Sequence, residues 1–162
     1  MTTVEECRAL LDTATPLRRD CGRLCGAACC SPLPGEETGM LLFPTEEVLY
    51  ENAAGFELRP AAMGTLLICS GACDRAMRPL SCRLFPLLPV LRGESVRAEM
   101  DLRAKAVCPL FRQGLSAMSA EFISAVEACG SLLAQDPRQR PFLEKLAEEQ
   151  AELKALSDAF GA

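Results

Sequence analysis

Cys21-Gly-Arg-Leu-Cys25-Gly-Ala-Ala-Cys29-Cys30 is followed further along the chain by Cys69-Ser-Gly-Ala-Cys73, by Arg78-Pro-Leu-Ser-Cys82-Arg-Leu-Phe85, and then by Cys108-Pro109. Six of these eight cysteines stand in two tight groups. Residues four apart share a helix face, so Cys21 with Cys25, or Cys69 with Cys73, can address one ion. Gly22, Gly26 and Gly71 suit a backbone that wraps closely round a bound centre. Three chemistries compete. Buried free cysteine, acting as a small hydrophobe, does not account for the clustering. Disulfides fit poorly with a chain that opens without an export signal, and the neighbours Cys29 and Cys30 do not readily pair with each other. Thiolate ligation of a metal remains, because soft sulfur donors select zinc, cuprous copper or iron–sulfur centres. Eight thiolates can build two zinc sites of four ligands each, or one iron–sulfur cluster with four thiols over. No C-x-x-C occurs anywhere, so the zinc-knuckle pair and the thioredoxin-type redox pair are both missing.

The rest of the composition narrows the field. The 162 residues, 49% hydrophobic and 24% charged, suit one globular domain. There is no histidine, which removes serine–histidine and cysteine–histidine catalysis, mixed cysteine–histidine zinc fingers and histidine-ligated haem. A net charge of −5 gives no overall basic field for nucleic acid. With no tryptophan and Tyr50 as the one tyrosine, a base-stacking platform would have to rest on a few Phe residues. The N-terminal residues have neither a basic nor an apolar leader region. The longest apolar stretch, Leu84 to Leu91, is broken by Pro86 and Pro89, far short of a membrane span. The expectation is a cytoplasmic protein whose thiols stay reduced, with no nucleic-acid or membrane partner.

Periodicity supplies the frame. Val4, Cys7, Leu11 and Ala14 recur at helical spacing, and Thr3 with Glu6 can form a capping box. Pro16 ends this helix, and Arg18, Arg19 and Arg23 lead into the first cysteines. Ser31 to Gly39 reads as a loop, Met40 to Phe43 as a short strand, and Thr45 as the N-cap of a helix through Glu46 towards Gly55. Phe56–Arg59 and Thr65–Cys69 read as extended and paired. Val96, Ala98 and Met100 alternate with charged residues, which with Leu87 to Leu91 predicts a hairpin. Phe122, Val126, Cys129 and Leu133 form one helical stripe, and Leu143, Leu146, Leu153, Leu156 and Phe160 another. Asp136-Pro137 and Pro141 punctuate the link, giving a helical hairpin that packs on the domain or, on the sharper reading, meets a protein partner. Cys7 and Cys129 fall on apolar stripes and are read as core. Glu36-Glu37, Glu46-Glu47 and Glu148-Glu149 are read as solvated charge. No phosphate-binding glycine loop and no nucleophile elbow is present.

Arginines surround the cysteines: Arg18, Arg19 and Arg23 near the first group, Arg75, Arg78 and Arg83 within the second. Guanidinium groups there can offset the charge of a four-thiolate site and donate hydrogen bonds to sulfur, a role expected above all of Arg78 and Arg83. The run Cys73-x4-Arg78-Pro79-x2-Cys82-Arg83-x-Phe85-Pro86, with Cys29-Cys30 before it and Cys108-Pro109 after it, resembles the CxxCxxCC, or YkgJ-like, cysteine-cluster proteins. The resemblance covers roughly residues 21–110. That family is described as a zinc- or iron-chelating domain with eight characteristic cysteines. It implies Cys21, Cys25, Cys29, Cys30, Cys69, Cys73, Cys82 and Cys108 as metal ligands. The spacing here is C-x3-C-x3-C-C rather than C-x2-C-x2-C-C, and Ala76 stands where the family usually has an aromatic.

The expectation is therefore an α+β fold in a single domain, 1–162. A metal-stapled, cysteine-rich core with short strands (21–110) lies between an N-terminal helix and a C-terminal helical hairpin (116–162). With many Gly and Pro residues, 21–110 is expected to own only a thin apolar core. The function expected is zinc or iron binding in a structural, interaction or metal-handling role. The alternative is an iron–sulfur redox protein or enzyme accessory factor.

Overall fold

The N-terminal helix α1 (Thr3–Leu10) does carry a capping box, but one residue earlier than the sequence suggests. In the computed structural model, which describes every residue except Arg19, Asp20, Pro32, Leu33, Ala72 and Ala162, Thr2 Oγ1 accepts from the Glu5 amide at 3.2 Å. Glu5 Oε2 accepts in return from the Thr2 amide at 2.6 Å. The shift frees the Thr3 hydroxyl to donate to Asp136 Oδ2 at 2.7 Å, which ties α1 to the far end of the chain. Val4, Cys7 and Leu11 turn inward and are buried.

Two small antiparallel sheets follow. In the first, strands β1 (Thr38–Leu41) and β2 (Phe56–Ala61) flank the central β3 (Gly64–Cys69), in the order β1-β3-β2. The register sets Cys69, the last residue of β3, opposite Thr38 on one side and Phe56 on the other. The second sheet is the hairpin of β4 (Leu87–Arg92) and β5 (Ser95–Met100), as the alternation at Val96, Ala98 and Met100 predicts. β4 has Leu87, Leu88 and Val90 buried because helices cover it. Those helices are α5 (Ala120–Gln135) and α6 (Arg140–Ala159), and they also pack on each other. Phe122, Val126, Cys129 and Leu133 are the inward stripe of α5, as read from the sequence. Gly130 lets α5 lie close on the hairpin, since a Cβ there would stand 2.5 Å from Pro89 Cβ and 2.4 Å from Val96 Cγ1.

The stripe on α6 stops short of expectation. Phe142, Leu143 and Leu146 are buried, but Leu156 and Phe160 are exposed. Twenty residues of helix run about 30 Å, while a six-residue strand spans about 20 Å. The last turns of α6 outrun the hairpin beneath them.

The centre of the chain is better packed than its Gly and Pro content implies. Phe43, Leu80, Leu84, Leu87, Leu88, Val90, Ala98 and Leu110 share one buried cluster with α1, α5 and α6. A second cluster of Leu42, Tyr50 and Leu67 lies under the three-stranded sheet. Burying a Leu, Val or Phe side chain contributes about 1.5–3 kcal/mol. The 21–110 stretch is therefore not thin-cored; it shares its core with the flanking helices.

Two local readings change. Residues 46–49 form a single 3-10 turn rather than a helix reaching Gly55, and Thr45 (φ 75°) makes no side-chain cap. Glu46, far from being solvated, is buried. Its Oε1 accepts from Arg8 Nη1 at 3.0 Å and from the Leu80 amide at 2.7 Å. The buried charge is tolerated because a cation and amides meet it. No helix among the described residues is long and apolar enough to cross a membrane.

Candidate metal centre

The first cysteine group sits on little secondary structure. Cys21 precedes, and Cys25 ends, the one-turn helix α2 (Gly22–Cys25); the Cys25 thiol donates to the Cys21 carbonyl at 3.9 Å. Gly26 (φ 61°) and Ala27 (φ 56°) are both left-handed and turn the chain sharply into a 3-10 turn at Ala28–Cys30. Glycine accepts this conformation without penalty, whereas alanine costs about 1–2 kcal/mol. The turn sets Cys29 beside Cys30, sulfur to sulfur 3.9 Å. Neither α2 nor this turn has a fully buried residue.

The second group is anchored on packed elements. Cys69 ends β3, and Cys82 lies in α3 (Leu80–Leu84), whose Leu80 and Leu84 are in the core. Between them, residues 75–78 are held by donors from distant segments. Arg8 Nη2 donates to the Ala76 carbonyl at 2.7 Å and the Tyr50 hydroxyl to the Met77 carbonyl at 2.8 Å. Arg83 donates from Nη2 to the Arg75 carbonyl at 2.6 Å and from Nε to the Arg78 carbonyl at 2.9 Å. Arg75 reaches back to the Leu11 and Asp12 carbonyls. Cys108 lies between the one-turn helix α4 (Leu110–Gln113) and a 3-10 turn (Leu102–Ala106) fixed by buried Asp101, which accepts from Arg103 and from Gln150 Nε2.

These elements enclose a cleft of about 740 Å³. Of the eight cysteines singled out by the sequence, Cys21, Cys25, Cys29, Cys30, Cys82 and Cys108 line it; Cys69 and Cys73 do not. Arg18, Arg23, Arg75, Arg78 and Arg83 line it too; Arg19, grouped with them by sequence, lies outside the described residues. Of the two remaining cysteines, Cys73 lies at Arg78 and Cys69 lies near Cys82. The Arg78 guanidinium bonds the Cys73 sulfur and lies near Cys30 and Cys82. Burial opposes its charge, yet that bond and those sulfurs hold its pKa above the ordinary value. Burial first, and then the nearby Cys30, Cys73 and Cys69, push the Cys82 thiol up. The adjacent pair splits. A hydrogen bond from Cys29 pulls Cys30 down, helped by Arg78, and Cys29 is pushed up as the partner that keeps the proton.

Arg83 is placed differently from the expectation. It is buried, its donors go to backbone carbonyls and to Asp12 Oδ1 at 3.0 Å, and it organises the wall rather than the sulfurs. Cys7 and Cys129 are buried between α1 and α5, each thiol donating to the other residue's carbonyl at 3.5 Å. No disulfide links any of the ten cysteines. Among the described residues no three cysteine, aspartate or glutamate side chains converge tightly enough to hold a metal ion. The donors are thus right in kind for zinc or iron, and six of the eight stand round one cleft, not on one point.

Sequence reasoning did not find Asp12, Tyr50 or Arg8. They act through contacts between segments far apart in the chain, and no local pattern marks them. No protein-family model, no curated protein and no solved structure matches the chain.

Proposed function

We propose that this is a metal-binding protein that takes zinc or iron through cysteine thiolates. Cys30, Cys69 and Cys73 lie near Cys82, with Arg78 beside them, and would form one four-sulfur set; Cys21, Cys25, Cys29 and Cys108 are the other donors on the cleft. The observation that supports this reading most is the sorting of the cysteines. Six from three separate segments line one cleft, with Cys73 at its Arg78 and Cys69 near its Cys82, while Cys7 and Cys129 lie in the apolar core. The likeness of the Cys73 to Pro86 run to the CxxCxxCC proteins supports it as well. Cys82 and Arg78 would hold the centre from the packed side. Cys21 to Cys30 would close on it from a segment with no buried residue of its own. Bound zinc would supply a cross-link between these segments, and bound iron would add one-electron chemistry.

Elemental analysis of protein purified without oxygen tests the reading. Zinc or iron is expected in stoichiometric amount, lost on Cys30→Ser or Cys82→Ser and kept on Cys7→Ala or Cys129→Ala. Colourless protein with zinc supports a structural or metal-handling role, and brown protein with iron and sulfide supports the iron–sulfur alternative. Protein that neither contains nor takes up either metal refutes both.

A further inference from the structure

A metal ion leaves most of this cleft unexplained. Thiolate sulfur lies about 2.3 Å from zinc, so an ion and its donors occupy a small part of about 740 Å³. That volume is in the range of sites for small organic molecules, about 300–1,000 Å³. Its charge is also out of keeping with the chain. The net charge is −5, yet the described lining holds five arginines against one carboxylate, Asp12, and Asp12 is already paired with Arg83. Arg75 and Arg83 spend their donors on the backbone. Arg18 and Arg23 stand exposed on the lining and Arg78 lies beside the sulfurs. The remaining wall is apolar: Leu24 and Val107 are 51% and 39% exposed, next to Pro86 and Pro109.

We propose that the cleft binds a small organic polycarboxylate, its carboxylates on Arg18, Arg23 and Arg78 and its carbon frame against Leu24 and Val107. Guanidinium forks match carboxylates in geometry as well as charge. The apolar wall favours an organic anion over inorganic phosphate. This rests on the metal-binding reading for its purpose, since polycarboxylates chelate zinc and iron, and a chelate held here would lie against the thiols.

Calorimetric titration of citrate into the reduced, metal-free 162-residue chain tests the inference. Saturable binding is expected, weakened at least tenfold in the Arg18→Gln/Arg23→Gln double variant and weakened by added salt. Both positions are exposed, and unchanged melting of the variant confirms that it is folded. No saturable binding overturns the inference, as does binding the double variant retains, or inorganic phosphate binding as tightly as citrate. Metal content of the protein before the metal is removed, purified without oxygen, separates the two readings. Metal held without citrate binding removes this inference alone, and citrate bound by protein that takes no metal removes the metal-binding reading and leaves an anion cleft.

Discussion

Arg78 and Arg83 lie five residues apart in one motif, yet their replacement should fail in opposite ways. Arg83 is buried, and its guanidinium makes two short bonds to main-chain carbonyls, at 2.6 Å to Arg75 and 2.9 Å to Arg78. Its ion pair with Asp12 adds little, because the Asp12 side chain is 63% exposed and such a pair contributes about 0–1 kcal/mol. The carbonyls decide the matter. A hydrogen bond from a charged donor contributes about 1.5–3 kcal/mol net, and an unmet buried acceptor costs about as much. Glutamine can restore one of the two bonds, so Arg83→Gln should cost about 2–5 kcal/mol. At about 2–4 °C per kcal/mol for a chain of this size, melting should fall by roughly 5–20 °C. Arg78 bonds the Cys73 sulfur instead. Arg78→Gln should leave the melting of metal-free protein within a few degrees while lowering metal retention about 10–100-fold against a chelator. Melting of both metal-free variants by circular dichroism, with chelator competition alongside, checks the contrast. If Arg83→Gln melts like the parent, or Arg78→Gln loses stability and keeps its metal, the assignment of wall and centre is wrong.

Gly130→Ala pits helix propensity, worth about 1 kcal/mol, against overpacking, which costs about 1–3 kcal/mol. Because the new methyl meets Pro89 and Val96 rather than the end of a flexible side chain, overpacking should win and melting should fall; an equal or higher melting temperature would show that α5 can lift off without cost. Metal removal by a strong chelator should open the chain to trypsin at Arg23 first, since α2 and the turn after it bury nothing fully, while α5 and α6 stay protected on their shared core; cleavage starting in α5 would contradict this. The Arg138 amide, and then the Thr3 hydroxyl, hold the Asp136 carboxyl below its usual 3.8. Its folded pKa is depressed, so its contribution is present above that pH and lost as pH falls through the folded value; the melting difference between the parent and Asp136→Asn should close below pH 3.8, and a constant difference would exclude the linkage.

What the sequence revealed follows the range of the interactions. The β4–β5 hairpin and the α5 stripe were legible because alternation and 3.6-residue periodicity are set by each element's own buried face. The expected pairing of Phe56–Arg59 with Thr65–Cys69 holds for the same reason. Thr2 and Thr3 were not separable, since either can cap a helix and the choice depends on Asp136, 133 residues from Thr3. Glu46 looked solvated because its reasons for burial, Arg8 and the Leu80 amide, lie 38 and 34 residues away. The cysteine clusters were visible as clusters. Which of them would line a cleft, and that Arg83 would serve the backbone, depended on how α1 meets residues 75–83.

The hold of α1 on residues 75–83 also sets an order of assembly. The Arg75, Ala76 and Arg83 contacts to α1 and the residues just after it join positions 63 to 75 apart in sequence. Contacts of that separation form only after a large loop has closed, which costs entropy before anything is gained. A peptide spanning 69–86 would carry Cys69, Cys73, Cys82, Arg78 and Arg83, and still lack the wall that orients them. The motif that reads as local in sequence is a late product of folding, and its chemistry belongs to the whole chain.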